Sequence, residues 1–107
     1  MSYDVHIVRT DNWWDADQDP ITKDEVDVLI ASDAELNWSA TDWTDMSDEQ
    51  GNVIRYFSIA WKGEPFCWWY RHEIRCVWPG EDRLAKMVAI AKVLRARVVG
   101  DEGEEYR

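Results

Sequence analysis

The chain has 107 residues, 46% of them hydrophobic, and a net charge of −10 at pH 7. That length makes one domain, long enough to bury about two-thirds of its unfolded surface around a single core without staples. The acid excess excludes nucleic acid and anionic membrane as partners, because both are bound through Lys and Arg, and it favours a cationic partner or simple solubility.

Residues 3–10 (YDVHIVRT) alternate Tyr3, Val5 and Ile7 with Asp4, His6 and Val8, which predicts a strand, and Val8 implies that its second face is partly covered. Residues 11–20 (DNWWDADQDP) have no period and close on proline, so they read as a loop. Thr22 followed by Glu25 is a capping box, with Ile21 and Val26 as its hydrophobic staple. A helix over Lys23–Ser32 follows, apolar at Val26, Leu29 and Ile30 and acidic at the positive end of its dipole.

Residues 37–46 (NWSATDWTDM) predict a short or irregular strand and residues 47–52 a turn. Val53–Trp61 is strongly strand-like on both faces, and residues 62–65 turn the chain again. A hairpin of residues 66–70 and 74–78 comes next. With His72 and Glu73 as its turn, Trp69 faces Cys76, Cys67 faces Trp78, and the two cysteines are diagonal neighbours. His-Glu is poor turn chemistry, which leaves a register one residue away open. Pro79 and Gly80 break that strand. Residues 81–97 read as a helix, with Leu84, Met87, Val88, Ala91, Leu94 and Val98 at helical spacing, and Val98 and Val99 as a short terminal strand.

The resulting order is β-α-β-β-β-β-α-β. It predicts an α+β, two-layer domain over residues 1–100: a mostly antiparallel sheet with two helices on one face. Residues 101–107 are expected to form a mobile acidic tail.

The charge is uneven. Residues 1–50 hold fourteen acids against Arg9 and Lys23, whereas residues 51–100 carry a net +5. Two readings follow: acidic loops lying over a basic helix and hairpin within the molecule, or an acidic docking surface that speeds encounter with a basic partner.

No stretch approaches the ~18 apolar residues of a membrane span. Residues 1–9 show no basic segment followed by an apolar block, so no secretory signal is expected. Cys67 and Cys76 show neither C-x-x-C nor zinc spacing with His6 and His72, so free thiols in a reducing cytoplasm are expected, without metal or cofactor. Asp15, Asp17 and Asp19 open like a calcium loop, but its sixth and twelfth positions are Pro20 and Val26. His6, His72 and Glu73 are the obvious proton-transfer candidates, and no nucleophile elbow, phosphate loop or dinucleotide fingerprint accompanies them. No catalytic residue is assigned.

Eight tryptophans exceed what so small a core hides. Trp61, Trp68, Trp69 and Trp78 lie in predicted strands and are assigned mostly to the core. Trp13, Trp14, Trp38 and Trp43 stand among acids, and read either as a lid over the sheet edge or as anchors of a binding surface. On the second reading the partner-binding residues are Trp13, Trp14, Asp15, Asp17, Trp38, Asp42, Trp43 and Asp45.

The opening SYDVHIVR, the DAEL of residues 33–36 and the closing KMVAIAKVLRARVVGDEGEEY resemble a group of small bacterial proteins of unassigned function. These open with a Ser-Tyr-Asp strand and close with a Lys-Met helix running into a Gly-Asp-x-Gly-Glu tail. GDEGE at residues 100–104 is the most specific piece, and none of these motifs is catalytic. In size and charge such proteins are similar to immunity proteins that neutralise bacterial toxins. The resemblance therefore implies a cytoplasmic binding protein that occludes a basic partner. Two other functions share the same features. One is a nucleic-acid mimic whose acids are spaced like phosphates, and the other is a small-ligand domain with an aromatic pocket.

Overall fold

The computed structural model describes residues 3–77 and 80–107. It is an α+β domain built on one seven-stranded sheet in the order β2-β3-β4-β5-β1-β6-β7. The strands are β1 (Asp4–Val8), β2 (Leu36–Ser47), β3 (Val53–Trp61), β4 (Glu64–Tyr70), β5 (Glu73–Val77), β6 (Arg97–Gly100) and β7 (Glu105–Tyr106). Every pairing is antiparallel.

Alternation along β1 sorts the two faces. Val5 and Ile7 join Ile59, Cys67, Ile74, Cys76 and Val98 in the main core, which Val26 and Leu29 of α1 (Lys23–Ser32) and Met87, Ile90 and Ala91 of α2 (Glu81–Val93) close from above. Both helices thus cover one face. His6 and Val8 point to the opposite face. There Val8, Val99 and Ala16 form a second small cluster with Trp13 against it. Ala16 and Trp13 come from a 3-10 helix, Trp13–Gln18, in the segment expected to be a plain loop. The partial cover implied by Val8 is this helix.

α1 has the predicted ends and the predicted capping box. The Thr22 hydroxyl accepts the Glu25 N–H, and the Glu25 carboxylate accepts the Thr22 N–H. That carboxylate also pairs with Arg9, whose fork reaches the carbonyls of Pro20 and Leu94 as well. One guanidinium therefore joins the end of β1, the start of α1 and the negative end of α2.

Three expectations need correction. α2 stops at Val93, because Leu94 caps it and Arg95 takes a left-handed φ of 56°. Leu94 and Val98 continue the helical spacing, but Val98 is a strand residue opposite Ile7. The β4–β5 turn is Arg71-His72, with Arg71 at φ 58°, so Tyr70 faces Glu73 and Trp69 faces Ile74 rather than Cys76. The expected position of Trp78 lies outside the described residues. Finally, the acidic tail is part of the sheet. Glu105 and Tyr106 pair with Val99 and Val98, and the Gly100 N–H donates to the Glu104 carbonyl at 2.9 Å.

Candidate functional site

Two places gather chemistry-bearing side chains. The first lies beneath the 3-10 helix. His6 is 1% exposed and sits between two carboxylates, with Nδ1 2.5 Å from Glu73 Oε1 and Nε2 2.7 Å from Asp101 Oδ1. Arg75 Nε donates to the same Glu73 oxygen at 3.0 Å. The Trp13 indole stacks on the imidazole at 4.6 Å with 3° between the planes, and its Nε1–H donates to the Asp101 carbonyl. Burial works to raise the Asp101 carboxyl, but the Asp4 N–H and the His6 ring outweigh it and hold the group below its usual range.

Each ring nitrogen of His6 faces one carboxylate. With both nitrogens engaged and the ring sealed by an indole, His6 has no free position from which to take a proton or bind a metal. The cluster ties β1, β5, the 3-10 helix and the β6–β7 turn together. His72, paired with Glu73 in the sequence, instead turns the chain, and its carbonyl accepts the Ile21 N–H at 2.9 Å. Among the described residues no group of three His, Cys, Asp or Glu side chains is arranged to hold a metal ion.

The second place is the β2–β3 hairpin. Its register slips between Trp38 and Trp43, so residues 39–42 bulge out, held by the Ser39 hydroxyl accepting the N–H groups of Thr41 and Asp42. Past the bulge, Trp43 lies opposite Phe57 with their rings edge to face at 6.1 Å. Arg55 lies over Trp43 at 4.4 Å and holds Asp45 at 2.8 and 3.1 Å. Its guanidinium keeps the Asp45 carboxyl below the ordinary range. Trp43, Phe57, Ile54 and Val53 are all exposed. Beside them an open groove of about 750 Å³ runs between Trp38, Tyr56, Phe57 and Trp69, with Lys23 and Arg55 at its rim.

The eight predicted partner-binding residues fall into two groups. Trp13 is half-buried as the lid on His6, Trp14 is 57% exposed beside it, Asp15 is half-buried and accepts from Asn12, and Asp17 is exposed. Trp38 is half-buried, with its Nε1–H on Asp27, and Asp42 accepts the Ser58 hydroxyl. Trp43 and Asp45 form the ladder with Phe57 and Arg55. Four strand spacings separate β2 from β1, roughly 19 Å at ~4.8 Å each, so the groups do not share a patch.

Arg55, Phe57 and Ile54 were missed. They read as ordinary strand residues, and only the pairing of β3 with β2 beyond the helices reveals them. The main pairing partner of His6 was missed too, although alternation had already placed His6 opposite the core face.

The chain matches no family model, no curated protein and no solved structure. No helix among the described residues is long and apolar enough to cross a membrane.

Proposed function

We propose that this is a protein-binding module whose partner-contacting surface is the exposed aromatic end of the β2–β3 hairpin, and that its partner is a basic protein, most specifically a toxin domain that it occludes. The observation that carries the reading is the cross-strand group of Trp43, Phe57 and Val53, which share one face of the hairpin, are exposed at 43%, 39% and 67%, and have Arg55 stacked over the indole. Large aromatic side chains held rigid in solvent, with polar groups around them, are how contact centres are built.

The acids near this group fit a basic partner. Asp42 and Glu49 are exposed and form no ion pair among the described residues. The reading makes the 3-10 helix a structural lid and confines the anchors to Trp43 and Phe57. The test is binding of the purified chain to basic proteins, including any toxin-like domain found encoded beside its gene. Trp43→Ala and Phe57→Ala should each weaken binding about 30-fold or more, through faster dissociation, while Trp14→Ala should leave it unchanged. A complex indifferent to Trp43 and Phe57 refutes the assignment.

The groove favours a second reading, a small aromatic ligand held between Trp38, Tyr56 and Trp69. Saturable quenching of Trp fluorescence by such compounds, lost in Tyr56→Ala but retained in Trp43→Ala, would select it over a protein partner.

A further inference from the structure

Cys67 and Cys76 are free, buried and on adjacent strands of one hairpin. Continuing the observed pairing of Trp68 with Arg75 by one residue sets them directly opposite each other. The type of pair follows from the neighbouring strands. The Asp101 N–H donates to the Asp4 carbonyl, whereas the Gly100 N–H donates away from β1, to Glu104. Val5, opposite Gly100, therefore turns its own N–H and carbonyl toward β5, where it faces Cys76. Cys76 in turn spends its backbone groups on β1, which makes Cys67–Cys76 a non-hydrogen-bonded pair. At such pairs the Cα atoms lie about 4.5 Å apart and the side chains are closest, within the roughly 4.4–6.8 Å span that a disulfide bridges.

Both residues, though only 2% and 3% exposed, also border an open cavity of about 310 Å³ together with Ser58, Trp68 and Arg83, and the Cys76 thiol donates to the Phe66 carbonyl at 2.9 Å. We propose that Cys67 and Cys76 are a cross-strand dithiol that a peroxide converts into a disulfide linking β4 to β5.

The order of events follows from their surroundings. Burial pushes the Cys67 thiol well above its usual range. Burial also raises Cys76, but the Arg83 charge opposes the rise and it reaches about 11. Cys76 therefore supplies the thiolate that attacks peroxide. An S–O bond forms, the O–O bond breaks, and the departing hydroxide leaves as water with the thiol proton. Cys67 sulfur then attacks the sulfenic sulfur, the S–S bond forms, the S–O bond breaks, and a second water leaves with the Cys67 proton. Two thiols are oxidised and one peroxide is reduced to two waters.

Intact mass of the full chain, exposed to hydrogen peroxide in native buffer, tests this. The expected product is about 2 Da lighter and monomeric, carries a Cys67–Cys76 link on peptide mapping, and returns to the starting mass with dithiothreitol. The scarce thiolate should make the reaction slower than that of a cysteine in a short peptide. In Cys67→Ser, dimedone should trap a sulfenic acid at Cys76, and in Cys76→Ser, Cys67 should stay unmodified. If those variants do not fold, the native chain decides by itself. Thiols that go to sulfinic acid without a bridge, that link only between molecules, or that react only in unfolding urea overturn the proposal.

Discussion

Replacing His6 by alanine should be the most destabilising of the single substitutions considered for this chain. Glu73 is 4% exposed and would lose its partner at 2.5 Å. Stripping a buried charge of its partner costs roughly 3–5 kcal/mol. Arg75 stays 3.0 Å from the same oxygen, so the lower end applies. The lost stacking on Trp13 adds about 0.5–1.5 kcal/mol. The expected total is about 4 kcal/mol, a large part of the 5–15 kcal/mol typical of a domain. Equilibrium urea unfolding, followed by both Trp fluorescence and circular dichroism, measures it; with a slope of roughly 2 kcal/mol per molar urea, the midpoint should fall by about 2 M. His6→Phe should recover the stacking and little else. Because Asp101 also loses its ring partner, the amides of β7 should exchange faster with solvent than those of β3. A loss below about 1 kcal/mol for His6→Ala would refute the claim that this network holds the second face together.

Thr22→Ala should cost about 1 kcal/mol through loss of the cap, read from the same unfolding curves, and no change would mean that the capping box does not stabilise α1. The Glu25 carboxyl is held down from 4.5 to about 2, chiefly by the Arg9 guanidinium. A depressed carboxyl stabilises the fold above its unfolded value, so this contribution is present above pH 4.5 and is lost as the pH falls toward 2. Acid titration of Glu25→Gln should be flatter in that window than titration of the native chain. Arg9→Lys should destabilise measurably on thermal melting, since one ammonium cannot serve Pro20, Glu25 and Leu94 together. Acrylamide quenching should fall most in Trp14→Phe and Trp43→Phe, the tryptophans exposed at 57% and 43%, and an equal fall in Trp69→Phe would contradict the packing described.

Local signals were legible where the chain settles them locally. The capping box placed α1 to the residue, and the β-branched and aromatic run of Val53–Trp61 placed β3. Alternation at Val5, His6 and Ile7 gave the two faces of β1. Signals that depend on distant partners were misread. Nothing inside residues 81–97 distinguishes a helix that ends at Val93 from one that continues, because Val98 satisfies both the helical period and a strand opposite Ile7. The tail looked like a mobile terminus because its acids are polar all round. Its order comes from Asp101 meeting His6 and Glu105 meeting Val99, contacts separated by most of the chain in one case and by one tight turn in the other.

The charge asymmetry shows how the two sequence readings divide the same residues. Folding sets Asp11 on Arg97, Asp33 and Glu35 on Lys86, Glu25 on Arg9 and Asp45 on Arg55. Internal complementarity therefore accounts for a share of the acidic first half, as one reading expected. Asp17, Asp19, Asp24, Asp42 and Glu49 remain exposed without an ion pair among the described residues. These acids are spread over both ends of the molecule, and a charge so distributed steers an approaching cation without fixing where it lands. Position must then come from short-range contact, which the exposed, edge-to-face Trp43–Phe57 pair at the β2 edge can supply. On this argument added salt should slow association with a basic partner while leaving dissociation set by the two aromatic rings.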